Sequence, residues 1–507
     1  MGTLFFILIL FTAFTTILYV FNLYNNYNSQ VMKQDQLMLA QKETSVSISS
    51  PSFSITTSST AATTIGTSTT QTATQYPTEG KVFYSQGLWW VFYSDGTNIG
   101  YRTSSNGLAW SAEQTISTHA GISTLGYSFS AWQSGNIFYY ILEGTGGTAQ
   151  FYWRYGNFTS SGSINWAMSE TTVGETNPPA NYGSIITDNS GNVWAAVVTK
   201  AGGPGGHYFI EVYKFSGSSW SKVDSIDSGS TTVIQLPELV PLTSGVGLVY
   251  GSGSFSTGTV FIITTATGAT WSAPVSPTGT YAMLFSWANS IGNTIYFEGL
   301  ESGKAGSTSG TVVFWTFNYG ASSTSGLTTI VSSSSTWETS LTIGAGNYLT
   351  VYYGTGANVY YVYSTDAGAT WSTQNTISTG ENTVAGITSA DSSQGVAWVS
   401  GGASPFNVRF ATAGPVGQLS LTFVNQSPFA VHLISLYVYS TTSNILNHYD
   451  ADSSDPTVSG NFDNWVSAGL TLSETVTINL YSNQNYLITS STDGGVIIST
   501  TFTSPTI

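Results

Sequence analysis

Residues 364–371 read Ser-Thr-Asp-Ala-Gly-Ala-Thr-Trp, and the chemistry of that run is the chemistry of a tight hairpin. Ser364 and Asp366 can accept hydrogen bonds from turn amides that would otherwise lack partners. Gly368 permits a positive φ, and Trp371 carries a ring large enough to bury against a neighbouring unit. A Gly followed three residues later by Trp recurs in SSNGLAW (Trp110), FSGSSW (Trp220) and TATGATW (Trp271), with a one-residue variant, TSSGSINW, at Trp166. Ser105, Phe215 and Ala266 stand where the first, third and fourth copies would carry the Asp. The tryptophans advance in steps of about fifty residues, with one double step before Trp371. FNYGASSTSG at 317–326 and RFATAGPVG at 409–417 fill the remaining places without a Trp. Each step holds three or four short alternating strands, of which LWWVFYSD, VWAAVVTK and NYLTVYYG are typical. Period and strand content predict an all-β propeller over residues 81–415. It has seven blades, or six if the degenerate copy at 317–326 is not a unit.

At every fixed position residues 364–371 match the Asp box, Ser-x-Asp-x-Gly-x-Thr-Trp, and residues 81–415 resemble the sialidase-type (Asp-box, or BNR-repeat) propellers. In that family the box sits between the third and fourth strands of a blade. The resemblance implies a structural role for Ser364, Asp366, Gly368, Thr370 and Trp371. For activity it implies three arginines on a substrate carboxylate, a Tyr–Glu nucleophile pair and an Asp acid/base. The chain has only Arg102, Arg154 and Arg409. Arg102 and Arg409 directly precede their hairpins, Arg154 falls in a third strand, and no Phe-Arg-Ile-Pro segment is present. These positions lie away from a propeller axis, so the guanidiniums are expected on blade surfaces, over aromatic rings.

Ligands of this architecture bind where the innermost strands begin. Those places hold Tyr127, Glu175, Tyr182, Tyr281, Glu338 and Glu381. Aromatic faces with scattered carboxylates suit a sugar, and Glu338 with Glu381 is the candidate acid pair of a glycosidase. Solvated loop carboxylates are the competing reading.

The flanks carry other signals. Residues 4–23 form an uncharged apolar stretch of bilayer-spanning length, so residues 1–44 are expected to be a retained membrane anchor. Met1-Gly2 with an apolar helix behind it also resembles the anchor of archaeal pilin-like proteins, which implies a filament core. Residues 45–80 are rich in Ser and Thr and are expected to be an unfolded, glycosylated extracellular stalk. Residues 416–507 read as a separate antiparallel β-sandwich, loosely resembling modules of archaeal surface proteins. Asn157-Phe158-Thr159 is a glycosylation sequon, and Asn425-Gln426-Ser427 a second one followed by Pro428. Asp450, Asp452 and Asp455 could bind Ca²⁺, although their spacing departs from an EF-hand loop and an ordinary acidic turn is favoured. His119, His207, His432 and His448 show no metal-ligand spacing.

Across 507 residues, 10 Lys and Arg face 25 Asp and Glu, and there is no cysteine. A net charge of −15 excludes a nucleic-acid partner, and the missing cysteine excludes disulfides and thiolate chemistry. Sparse charge would suit a cell envelope in an acidic medium. The expectation is a single-pass, extracellular surface protein that binds glycans or surface-layer proteins without catalysis, in adhesion or envelope assembly. A sialidase-type hydrolase and a pilin-like filament subunit are the alternatives.

Overall fold

A computed structural model describes residues 2–504 except 44–45, 76–79, 118–121, 146–149, 175–178, 201–205, 228–233, 254–258, 277–282, 302–309, 391–393, 428–429, 442–444, 452–463, 479, 481–483 and 494. Some side chains within elements are also outside the described set. Contacts divide the chain into two compact units, residues 57–415 and residues 1–56 with 416–507.

Residues 57–415 are successive antiparallel meanders, in which strand n pairs with strand n + 1. They occupy residues 82–115, 129–173, 179–227, 234–265, 283–331, 336–378 and 384–410. The strand Thr328–Ile343 serves two of them: its beginning pairs with Gly310–Asn318 and its remainder with Leu349–Thr355. Alternation decides the packing. Trp90 and Phe92 share one apolar cluster with Phe129 and Phe138 of the next meander. Trp89 and Val91, on the other face of the same strand, pack with Val399 and Phe410 of meander 384–410. Each meander is thus apolar on both faces, and the last packs back on the first. First strands from Val82–Ser85 to Val384–Ser389 line one common cavity. Meanders arranged around a shared axis are a β-propeller.

The Ser/Thr segment departs from expectation. Val46–Ser59 and Thr63–Ser68 are strands rather than an unfolded stalk, and both pair with Phe406–Asn425. Thr63 to Ser68 run antiparallel to Phe410 to Phe406, so the chain's early residues supply the outermost strand of the last meander. Two physical facts permit this. Thr is a good strand former, and an outermost strand needs few apolar anchors because its neighbour supplies the core. Ile65 is that anchor, 2% exposed.

At the outer hairpin of meander 336–378, Ser364 Oγ accepts from Gly368 N at 2.8 Å. Asp366 accepts from Thr370 N at 2.8 Å and from its hydroxyl at 2.6 Å. Those bonds hold the Asp366 carboxyl below its usual range against the opposing effect of partial burial. Gly368 has φ +91°, and Trp371 meets Phe314 of the preceding meander edge-on at 5.1 Å. The first copy compensates for its missing Asp in a way the sequence comparison misplaced. Asn106, not Ser105, accepts from the amides of Leu108 and Ala109, at 2.9 and 3.0 Å.

In the other unit, the strand 416–425 pairs with Thr471–Thr477, while Val431–Ser440 pairs with Ile445–Ala451 and Asn485–Thr492. One core of Leu419, Phe423, Leu433, Val438 and Ile488 joins these sheets, and Val46 and Ile48 belong to it. The helix Gly2–Glu43 precedes them. Among the described residues no helix is long and apolar enough to cross a membrane. The side chains of residues 4–11 and 13, nine of the twenty in the apolar stretch 4–23, lie outside those described.

Candidate functional site

The inner ends of the meanders are where sequence places a ligand, and the described carboxylates there, Glu338 and Glu381, are bonded to other residues of the chain. Glu338 sits at an irregularity in the first strand of meander 336–378, where the pairing register shifts between Thr336 and Thr339. Such a bulge frees an amide or re-aims a side chain. Here the Glu338 carboxylate reaches the next meander and accepts from Ile387 N at 3.2 Å. Its other oxygen accepts from Gln75 Nε2 at 3.1 Å. Burial lifts its pKa to about 7, opposed by hydrogen bonds from Gly386, Gln75 and Ile387 and by the charge of Lys81. Glu238, two repeat lengths earlier, occupies the matching bulge and accepts from Ala288 N of its own next meander at 2.8 Å. Ser184 does the same for Leu239 N at 3.1 Å. These side chains satisfy inner-edge amides that no further strand can reach.

Glu381 is also committed. It accepts from Ser378 Oγ and pairs with Arg409 at 3.4 Å. Arg102 bonds Tyr93 at 3.0 Å and lies 3.8 Å from Glu113, and Arg154 covers the Trp166 ring at 4.2 Å. Only Arg154 therefore lies over an aromatic ring as expected; Arg102 and Arg409 pair with carboxylates instead. Each arginine belongs to a different meander, and none lines the axial cavity. Tyr127 and Tyr182 do come together, with ring centroids 6.5 Å apart. Burial and then the Glu143 carboxylate push the Tyr127 hydroxyl up. Glu175 and Tyr281 lie outside the described residues.

Sequence reasoning missed the segment Thr70–Gln75, which it assigned to a stalk. Ala73 and Thr74 are fully buried. Thr74 donates to Gly386 O, Ser94 N donates to Ala73 O at 3.0 Å, and Lys81 Nζ donates to Gln75 O at 3.0 Å. A Cβ on Gly126 would stand 1.9 Å from Thr72 O, and one on Gly386 2.6 Å from Thr74 Oγ1. The segment therefore occupies the place where the innermost strands of meanders 82–115, 129–173, 336–378 and 384–410 begin. No local signal marks it, because its partners lie far away in sequence. The spacing of Glu238 and Glu338 by two repeats was the one available clue to the inner network.

Two more acids are buried in the meanders. Glu298 is fully buried, neither oxygen makes a well-formed hydrogen bond, and only Thr339 steadies it. Burial raises it to about 8. Glu143 is raised to about 7 by burial, with Ser128 opposing.

Along the axis itself lies a cavity of about 310 Å³. Glu238 is the only charged residue among those lining it; Trp132, Gln133 and Asn289 supply a ring and two amides. Among the described residues no cluster of His, Asp or Glu could hold a metal ion. The acidic turn at Asp450, Asp452 and Asp455 is outside the described side chains. His207 pairs with Asp227 at 3.2 Å, and His432 with Asp493 at 3.4 Å while stacking on Trp465. Asn157 is exposed on its strand, whereas Asn425 is buried and donates to Val466 O at 2.8 Å, which removes it as a glycan acceptor.

No family model matches the chain, and no curated protein matches it. Among solved structures it is similar to a fungal alcohol oxidase in complex with copper, at 11% identity and a TM-score of 0.49, covering 88% of this chain and 99% of that one. It is also similar to a mutant Trypanosoma rangeli sialidase (8%, 0.39, 84% and 83%). The six-bladed Aleuria aurantia lectin aligns at 12% identity and a TM-score of 0.34, over 57% of this chain and 89% of that one. The propeller described above rests on the chain's own meanders and shared axis.

Proposed function

We propose that this chain is a non-catalytic, seven-bladed propeller that binds glycans at a cell surface. The observation that carries the reading is the state of its reactive-looking groups. Glu338 bridges meanders and Glu381 is paired with Arg409, so neither is placed to trade protons with a substrate. The three arginines are dispersed over three meanders with partners of their own, which argues against a carboxylate clamp of sialidase type. What is left on the axis is a concave, largely polar cavity, a shape that suits binding.

In this reading the helix Gly2–Glu43 tethers the protein, and residues 57–507 face outward. The exposed side chains of Phe14, Ile17, Leu18, Val20 and Phe21 favour burial, in lipid or among helices of other copies. The sandwich, similar in pattern to modules of archaeal surface proteins, suits an envelope protein. A glycan array probed with the full-length protein, with each spot then read by mass spectrometry, tests the proposal. Retained protein over intact glycans is the expected outcome, and shortened glycans would overturn it in favour of a hydrolase.

A further inference from the structure

We infer that the ligand of this propeller is a neutral sugar of one or two rings, admitted to the axis from the face where the innermost strands end. This rests on the glycan-binding reading above and reverses the side of approach expected from the sequence. Three observations carry it.

The first is the position of the cavity. Its lining residues fall mostly in the later halves of the first strands: Ile186 in Pro179–Thr187, Pro241 in Ile234–Leu242, Asn289 in Met283–Ile291, Ser389 at the end of Val384–Ser389. Gly135, just past Phe129–Ser134, is exposed and still lines it, so the space reaches solvent on that side. The second is the segment Thr70–Gln75, which occupies the opposite mouth at four of the strand beginnings. The glycines 126 and 386 leave it the room it needs, and Glu338 and Lys81 bond to it.

The third is the chemistry of the wall. No Lys, Arg or His is among the residues lining the cavity, so an anionic sugar would find no counter-charge there. The first strands pair with their meanders on one side only, and although Ser184, Glu238 and Ser290 take up Leu239 N, Ala288 N and Pro241 O, the wall stays largely polar. Two side-chain amides stand in the wall with orientations fixed by the chain. Gln133 Nε2 donates to Gly135 O at 2.7 Å and to Tyr84 O at 3.3 Å, and Asn289 Oδ1 accepts from Ser290 N at 2.8 Å. Polar groups of this kind match hydroxyls, which both donate and accept. Trp132 adds an aromatic wall, its indole N–H fixed on Thr187 at 3.0 Å. A volume of about 310 Å³ is at the small end of ligand sites, which run from about 300 to 1,000 Å³.

The absence of cysteine makes access directly measurable. In full-length Ser130→Cys protein, a small neutral methanethiosulfonate reagent should modify the new thiol, read by intact mass. Asn289→Cys serves as a second reporter if Ser130→Cys folds poorly. Adding Gln133→Trp at the exposed end should slow labelling about tenfold or more, while adding Gln75→Ala should leave it unchanged. Methyl glycosides of neutral hexoses should protect the thiol, and the methyl glycoside of sialic acid should not. Labelling that quickens with Gln75→Ala and ignores Gln133→Trp overturns the inference. Labelling that follows the expected route, but is slowed by no neutral sugar, overturns the ligand assignment. If the glycan array is positive in that case, the glycan-binding reading survives and this site does not.

Discussion

Meander 336–378 contains both an outer hairpin, Ser364–Trp371, and an inner junction at Glu338, and the two are held by opposite means. Every partner described for the side chains of the hairpin's Ser364 and Asp366 lies within four residues of it. Glu338 is satisfied by Ile387, 49 positions away, and Gln75, 263 positions away. The rim is local chemistry repeated; the axis is long-range chemistry that exists only when the ring is closed. Local bonds can erode copy by copy, as Asn106 shows by standing in for an Asp. An inner junction has no neighbouring residue to fall back on.

The largest expected effect addresses steric fit at the rim. In Gly368→Val, the new Cβ would stand 2.1 Å from the Phe314 ring at a backbone φ of +91°. A loss of about 3 kcal/mol or more is expected, visible as a large drop in melting temperature. If Gly368→Val melts within a degree or two of the parent, the hairpin is not the rigid rim element described here.

Next comes the axis, through pH. Glu298, Glu338 and Glu143 all have pKa values raised above those of the unfolded chain. A raised carboxyl contributes its full stability below the unfolded pKa of about 4.3, and loses it as pH climbs through the folded value. For these groups that window ends at about 7 to 8. The protein is therefore expected to be most stable in acid and to weaken toward alkaline pH, as an acidic habitat would favour. Glu298→Gln keeps the shape without the titration. Unfolding free energies from denaturant titration should match the parent in acid and exceed it at about pH 9, by about 1.4 kcal/mol for each tenfold by which burial weakens the acid. Parallel pH profiles for parent and variant would show that the buried acid does not set the dependence.

Smaller effects sharpen the contrast. Asp366→Ala removes three short-range acceptor bonds and should cost about 1–2 kcal/mol, measured by urea unfolding. Gln75→Ala removes one inner bond and should cost about 1 kcal/mol. It should also speed proteolysis around residues 70–75, which Asp366→Ala should leave unchanged. Equal proteolysis in both variants would erase the distinction between rim and axis.

The same distinction explains what the sequence made legible. The Gly-x-x-Trp period and the alternating strands are local signals, and they led to the propeller and to the hairpins of Trp110, Trp271 and Trp371. The Ser/Thr composition misled, because a low-hydrophobicity segment folds when a partner strand supplies the core, as Phe406–Asn425 does for Thr63–Ser68. The sequence offers Glu338 and Glu381 as an acid pair at the mouth of the channel, whereas each is bonded to other residues of the chain. Their partners Gln75 and Arg409 were invisible as such, since nothing near either acid announces a residue so distant in sequence. Lys81, fully buried and donating to Gln75 O, reads in sequence as an ordinary strand-flanking charge.

Closing the last meander with Thr63–Ser68 has a consequence for how the protein comes into being. Synthesis delivers that strand first and its partner, residues 406–410, more than three hundred residues later. Until then the earliest part of the ring has no edge to join, and the inner segment at Thr70–Gln75 has no Glu338 or Gly386 to seat against. The chain must keep its opening residues waiting through the making of every other meander. Their low hydrophobicity, which misled the reading of the sequence, is what lets them wait in water without clinging to the wrong strand.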